Sequence, residues 1–460
     1  MLRLLKQYYP IRNAVFVIGE AFVIFFSVLI AYWFIIDSNI LGGWLYCKIF
    51  LISFIVQACL YYNNLYNFKV IDGFTELSIR LFQAVGFAAI ILAVIYFFFP
   101  GAIIGKGVSG ISIALILIFI TSWRLCYTLV LERGLFNQQI IILGSGELAN
   151  NIKIEIETTK DCGYTVKMIF KEDADTDRLN ATKITISRSG YDGLCEIAKD
   201  LNIDKIVVAL KEKRGVFPVK ELLNCRVAGI DVLEGNSFYE MLTGKLIVEQ
   251  INPGWLIFSK GFKKSFIMRA FKRCTDFFLS LSMLIMFSPL IILTSILIKM
   301  DSEGPILFSQ ERMGQNGIPY DVYKFRSMFT DAEKNGPVWA TTDDNRVTRV
   351  GKYIRKWRID EIPQLWNVMI GEMSFVGPRP EREHFVKELE AIIPYYSQRF
   401  NVKPGLTGWA QVSYGYGATV DEAIEKLNYD LFYIKNMSIP MDLTVIFRTV
   451  KTVLFGEGAR

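Results

Sequence analysis

The run Phe277-Phe278-Leu279-Ser280-Leu281-Ser282-Met283-Leu284-Ile285-Met286-Phe287-Ser288-Pro289-Leu290-Ile291-Ile292-Leu293-Thr294-Ser295-Ile296-Leu297-Ile298 holds 22 residues without a charge. Length and hydropathy alone describe a membrane span. Ser288-Pro289 at its middle argues otherwise, because an interior proline deletes a helical hydrogen bond and clashes with the preceding turn. Positive charge stands on both flanks: Arg269, Lys272 and Arg273 before it, Lys299, Arg312, Lys324 and Arg326 after it. Cytosolic flanks carry such a bias. The expected element is a helix over about 274–299 that enters the bilayer, bends at Ser288-Pro289 and returns; a straight span is the alternative.

Upstream, four apolar stretches, Ala14–Ile36, Trp44–Tyr62, Leu81–Phe99 and Val108–Leu131, are each near the length needed to cross about 30 Å of hydrocarbon. Fourteen of the first 137 residues are charged, about one in ten, against about one in four over the rest. No small-residue cleavage site follows the first stretch, which favours an anchor over a removable signal. Arg3, Lys6 and Arg12, then Lys69 and Arg80, then Arg133 alternate with a side that carries only Lys106. Both ends of the bundle are therefore expected in the cytoplasm. Glu20, Lys48 and Arg124 fall in or near these spans and are expected to face the interior or snorkel.

Gln138–Leu143 reads as a buried strand running into Gly144-Ser145-Gly146-Glu147-Leu148-Ala149 and then a helix, the context of a dinucleotide fingerprint. Strand-like segments recur at Tyr164–Phe170, Lys205–Leu210 and Gly229–Leu233, so a Rossmann-like α/β domain is expected. Gly144, Gly146 and Ala149 form a possible nucleotide loop, with Glu172 and Asp173 as acidic candidates; an empty loop in a structural domain is the alternative. The expected divisions are 1–137, a four-helix transmembrane region; 138–235, the Rossmann-like domain; 236–268, a connector; and 269–460, an α/β-mixed catalytic domain carrying the re-entrant helix.

Net charge is +6, without a Lys/Arg tail, which disfavours nucleic acid as partner. The seven cysteines lack any C-x-x-C spacing, so neither a disulfide framework nor a zinc site is indicated. His384 is the single histidine, which excludes multi-histidine metal centres.

Chemistry concentrates between Asp321 and Gln411. Lys324-Phe325-Arg326-Ser327-Met328 is followed by Arg355, by Asp360-Glu361-Ile362-Pro363-Gln364-Leu365-Trp366-Asn367-Val368, by Gly377-Pro378-Arg379-Pro380, and by Pro404-Gly405-Leu406-Thr407-Gly408-Trp409-Ala410-Gln411. Lys324, Arg326, Arg355 and Arg379 suit phosphate oxygens. Asp360 and Glu361 are adjacent and point apart, so one carboxylate can attack phosphorus while the other holds a hard cation such as Mg²⁺. A surface ion-paired dyad is the bland alternative. Clustered positive charge is expected to keep the Asp360 pKa low.

These motifs, K-F-R-S-M, R-x4-D-E-x-P-Q-L-x-N-V, G-x-M-S-x-V-G-P-R-P and P-G-x-T-G, resemble the bacterial sugar transferases, polyprenyl-phosphate hexose-1-phosphate transferases of exopolysaccharide, capsule and O-antigen synthesis. The resemblance is strong over about the last 190 residues and architectural before them. It implies that Asp360 attacks the β-phosphorus of a UDP-sugar, expels UMP and holds the sugar phosphate until polyprenyl phosphate takes it. It further implies Glu361 as the Mg²⁺ residue, Lys324, Arg326, Arg355 and Arg379 around the phosphates, and Ser288-Pro289 as the break of a re-entrant helix. A multi-pass protein of the bacterial inner membrane with a cytoplasmic active site, in contact with lipid and able to form a homo-oligomer, is the expected whole. The rival readings are a membrane-anchored nucleotide-sugar dehydratase or epimerase and a non-enzymatic membrane ligand sensor.

Overall fold

A computed structural model describes residues 2–4, 7–9, 11–36, 43–66, 74–105, 107–132, 137–159, 162–170, 185–187, 191, 193–210, 217–250, 259, 261–330, 345–415 and 419–455. Lys6, Lys69, Lys106, Arg133, Glu172 and Asp173 lie outside these. The chain divides into two compact units, essentially residues 8–238 and 239–460.

The first unit opens with helices α1 (Ile11–Ile35), α2 (Gly43–Tyr62), α3 (Phe74–Phe98) and α4 (Val108–Glu132), each long and apolar enough to cross a membrane. Their shared core includes Ile24, Val28, Ile49, Leu60, Ala84 and Ile120. The third apolar segment starts at Thr75, before the expected Leu81, because Arg80 and Glu76 pair at 2.7 Å one turn apart and let the helix begin among charged residues. Glu20 is 0% and Arg124 4% exposed; they pair at 2.7 Å, with Arg124 Nη1 donating to the Leu65 carbonyl. The interior placement expected of both is what the bundle has.

A five-stranded parallel sheet follows, built from β1 (Gln138–Leu143), β2 (Tyr164–Phe170), β3 (Thr185–Ser187), β4 (Lys205–Val208) and β5 (Asp231–Glu234) in the order β3-β2-β1-β4-β5. Helices α5 (Glu147–Thr158), α6 (Leu194–Asp200) and α7 (Val219–Val227) connect the strands. The β1 run Ile140–Leu143 is wholly buried, which explains why it reads as continuous apolar sequence rather than alternation. The edge strand β3 has three residues and no pattern to announce it.

After α8 (Gly235–Thr243), the second unit presents α9 (Phe266–Met286) and α10 (Ser288–Asp301), bent by 60° at Phe287. Pro289 sits in the first turn of α10, where its missing N–H costs nothing, and the Ser288 hydroxyl donates to the Ile285 carbonyl. The apolar element starts at Phe266 rather than near residue 274, with Ser265 capping the helix at the Met268 N–H. Lys272, Asp276 and Ser280, four residues apart, make one buried polar face. Asp276 accepts from the Ser374 hydroxyl at 2.7 Å and the Phe375 N–H at 3.1 Å, and Lys272 pairs with Asp442 at 2.7 Å. Phe278, Ile285, Met286, Ile292 and Leu293 are exposed.

The remainder comprises the antiparallel pair β6 (Leu307–Met313) and β7 (Pro319–Phe325), then α11 (Arg349–Lys356), a single turn Ile359–Glu361, α12 (Gln364–Ile370) and strand β8 (Ser374–Val376). α13 (Glu383–Ile392), β9 (Gly405–Thr407) parallel to β8, α14 (Trp409–Ser413), α15 (Val420–Asn436) and α16 (Ile439–Phe455) complete it. Its core includes Leu365, Val376, Trp409, Leu431, Tyr433 and Val445.

Candidate active site

The carboxylate pair lies on the turn between α11 and α12. Arg358 takes φ 53°, a left-handed conformation, and this single residue turns the chain out of α11 into Ile359–Glu361. Behind the turn, buried Asn367 ties α12 to β7: its Nδ2 donates to the Asp321 carbonyl at 2.7 Å and its Oδ1 accepts from the Tyr323 N–H. Lys324 is thereby fixed opposite the turn.

Arg379 approaches from the third side. Gly377, between β8 and Arg379, meets the β9 segment backbone to backbone: a Cβ on Gly377 would stand 2.4 Å from the Lys403 carbonyl oxygen, and one on Gly408 2.3 Å from the Gly377 oxygen. The glycines of G-P-R-P and P-G-x-T-G therefore serve one close contact, which the Gly377 N–H seals by donating to the Thr407 carbonyl at 2.8 Å. Arg399 Nη2 donates to both the Arg379 carbonyl and Asp430 Oδ2 at 3.0 Å.

The pair divides its surroundings unequally. Glu361 Oε1 accepts from Arg379 at 2.9 Å and faces Lys324 at 3.4 Å, while Oε2 faces Arg358 at 3.5 Å. Among the described residues none donates a hydrogen bond to the half-buried Asp360 carboxylate. Burial alone would raise the Glu361 carboxyl, but Arg379, Lys324 and Arg358 outweigh it and hold it well below the usual carboxylate range. Burial and then the Glu361 charge push the Asp360 carboxyl up to about 6, against the pull of Lys324, Arg355 and Arg379. The expectation of a low Asp360 pKa is thus overturned: the cations are spent on its neighbour.

Of the residues expected in the site, Asp360, Glu361, Lys324 and Arg379 come together, and Arg355 acts on Asp360 through its charge. Arg326 touches neither carboxylate; it is buried, donates to the Ser302 carbonyl and hydroxyl after α10, and its Nε and Nη1 have no partner among the described residues. Arg358 was not expected there, although its place three residues before Glu361 was a signal. His384 is exposed on α13 beside Glu388 and belongs to the surface. No group of three or more His, Cys, Asp or Glu suited to a metal occurs among the described residues.

The possible nucleotide loop lies elsewhere, at the end of the central strand β1. Gly144 has φ 121°, and a Cβ there would stand 2.4 Å from the Ala209 carbonyl, so its glycine is required by packing against the chain after β4. Gly146 precedes α5 and Ala149 is buried within it.

The family described as bacterial sugar transferase matches residues 267–456. The chain is 42% identical over 239 residues to a UDP-N-acetylgalactosamine-undecaprenyl-phosphate N-acetylgalactosaminephosphotransferase of Aeromonas hydrophila, covering 52% of this chain and 56% of that protein. It is 41% identical over 186 residues to a UDP-glucose:undecaprenyl-phosphate glucose-1-phosphate transferase of Klebsiella pneumoniae, covering 40% of each. To the exopolysaccharide production protein PSS of Rhizobium leguminosarum bv. phaseoli it is 42% identical over 194 residues, 41% of this chain and 97% of that one. The chain belongs to the bacterial sugar transferase family. Its matches span about half or less of the first two relatives' lengths.

Proposed function

We propose that this protein transfers a hexose-1-phosphate from a UDP-sugar to polyprenyl phosphate and releases UMP, as a first membrane step of exopolysaccharide, capsule or O-antigen synthesis. The observation that carries the reading is the unequal pair: Glu361 faces three cations, while among the described residues none donates a hydrogen bond to the adjacent, half-buried Asp360 carboxylate. An Asp360 oxygen bonds to the β-phosphorus as the bridging bond to the α-phosphate breaks and UMP leaves with that electron pair. An oxygen of polyprenyl phosphate then bonds to the same phosphorus and returns Asp360 to a free carboxylate. Arg379, Lys324 and Arg355 offset the charge that builds on the transferring group. Arg326, beneath them, steadies the chain leading from β7. A carboxyl near 6 is largely ionised at neutral pH and is a stronger nucleophile than one near 4.

The donor set fits Mg²⁺, which takes one or two carboxylates with substrate phosphates completing its shell. Glu361 Oε2, whose cation stands at 3.5 Å, is the looser oxygen and would hold it. When bound, the ion neutralises diphosphate charge and polarises its oxygens.

We further read α9 and α10 as a re-entrant element at the cytoplasmic face of the inner membrane. The 60° bend, the polar face fastened to Ser374, Phe375 and Asp442, and the exposed apolar residues support this. The strand order around β1, with Gly144, Gly146 and Ala149 at its end, supports a Rossmann-like domain whose third position packs helix on sheet. The decisive experiment measures UMP release from UDP-sugars with polyprenyl phosphate and Mg²⁺. Asp360→Asn should abolish it, and a sugar phosphate trapped on Asp360 should appear in the wild type; normal turnover by the variant rejects the reading.

A further inference from the structure

Residues 239–250 precede the family match, which begins at residue 267, yet they belong to the second compact unit. Their apolar side chains Leu246 and Val248 are 3% and 1% exposed and share a core with Trp409 and Leu431. Their polar contacts run along α15. Glu240 accepts from Lys435 and from Asn436 Nδ2, and Lys245 pairs with Glu425. Asn428 takes the Leu246 N–H on its carbonyl at 3.1 Å and the Val248 N–H on its Oδ1 at 2.9 Å. Glu240 and Asn428 are buried, and a buried polar group held this way is a fitted contact rather than the wall of a loose linker.

The same stretch reaches the glycine contact behind Arg379. α8 closes at Gly244, whose φ of 69° is the left-handed conformation that ends a helix. The Gly244 carbonyl accepts the Trp409 indole N–H at 2.8 Å in a buried contact. Trp409 is stacked on Phe432, with the Arg448 guanidinium 4.6 Å from its ring centroid. Its N–H is the only side-chain donor an indole has, so this bond fixes how the ring is turned. Gly408, the preceding residue, is the one whose Cβ would stand 2.3 Å from the Gly377 oxygen, and Gly377 leads through Pro378 to Arg379. A shift of Trp409 therefore passes into backbone that has no slack to absorb it.

We infer that residues 239–250 are a strap built onto the active site, and that the hydrogen bond from Trp409 to the Gly244 carbonyl is a positioning contact that keeps Arg379 on Glu361. The inference deepens the transferase reading and rests on it. Trp409 and Gly244 act only through Gly408, Gly377 and Arg379, and their effect falls on the rate because Arg379 offsets charge that builds during transfer. Misplacing such a group by about 1 Å from a distance can cost as much as about 10²-fold. The plainer role, a core tryptophan whose N–H needs an acceptor, predicts lost stability and nothing else.

The test follows UMP release against pH for the full-length membrane enzyme and its Trp409→Phe and Gly244→Ala variants. Trp409→Phe keeps an aromatic ring between Phe432 and Arg448 and removes the N–H. Gly244→Ala disturbs the same bond from the strap side, because a Cβ is disfavoured at a φ of 69°. In each, kcat should fall about tenfold while KM for the UDP-sugar changes by less than about twofold. The acid limb of the kcat/KM profile should also move to higher pH, because Arg379 is one of the cations that draw the Asp360 carboxyl down. The position of that limb does not depend on how much of the enzyme is folded, and either variant decides the matter if the other does not accumulate. A limb that superimposes on the wild-type one, whatever the melting temperature, overturns the positioning role and leaves the transferase reading standing. No UMP from any UDP-sugar with the wild type overturns the transferase reading and this inference with it.

Discussion

Arg399 holds the main chain of Arg379, not its side chain: Nη2 donates to the Arg379 carbonyl at 3.0 Å, and Asp430 and the Tyr396 hydroxyl fix the guanidinium from behind. Arg399 and Asp430 are 6% and 2% exposed, so the pair is desolvated. Lysine keeps the charge at that position but lacks the planar fork that serves three partners at once. Arg399→Lys is therefore expected to lower kcat of UMP release by about 10²-fold through displacement of Arg379. KM should change much less. A lower melting temperature with kcat and KM both intact would show that the network serves stability alone.

The raised Asp360 carboxyl has two consequences of known sign. Below about 6 the nucleophile is protonated, so kcat/KM should fall about tenfold per pH unit on the acid side of that value. Stability runs the other way. Between the ordinary value of 3.8 and about 6, the folded protein keeps a proton that the unfolded chain has released, so Asp360 makes stability fall as pH rises across that window. Above it the whole penalty is present. Asp360→Asn should accordingly melt higher than wild type at pH 7.5, with the gap closing near pH 4. Equal melting temperatures at both pH values would show that the carboxyl is not strained by its site.

Much of this arrangement can be read from the chain alone, and the limits have physical causes. β1 announces itself because burial on both faces leaves an unbroken apolar run, the four long helices because their outward faces are as apolar as their shared core, and Ser288-Pro289 marks the break because proline acts on its own helix. Asp360, Glu361, Lys324 and Arg379 stand out by type and motif. What the chain hides is allocation. Which carboxylate receives the cations depends on the left-handed turn at Arg358 and on contacts spanning 18 and 37 positions to Arg379 and Lys324. Charge counting along the sequence therefore places the low pKa on the wrong member of the pair. Arg326 stands two residues after Lys324, where strand alternation would give both the same face, but β7 ends at Phe325, so Arg326 leaves the strand and turns to Ser302.

The bend at Phe287 bears on topology. If α9 and α10 form a re-entrant element, a reporter fused to the C-terminus is accessible only from the cytoplasm. Replacing both Ser288 and Pro289 with alanine removes the proline constraint and the hydroxyl that bonds the Ile285 carbonyl, so a continuous helix becomes available. The double variant should place a measurable share of the reporter outside and lose UMP release in proportion. An external reporter on the wild type would reject the re-entrant geometry.

Glu20 and Arg124 make the last test, within the four-helix bundle. Arg124 donates to Glu20 at 2.8 Å and to the Leu65 carbonyl at 2.7 Å, with its guanidinium 5.3 Å from the Phe16 ring centroid and 5.5 Å from that of Tyr66. The contact joins α1, α4 and the chain after α2. Removing one partner leaves a buried charge uncompensated, a loss of about 3–5 kcal/mol where such pairs have been broken. Removing both leaves a cavity but no charge, which is less severe. Glu20→Gln and Arg124→Met should each lower the melting temperature of the detergent-purified protein more than the double variant does, without changing its donor preference. Additive losses in the double variant would mean that the two side chains do not act as a pair.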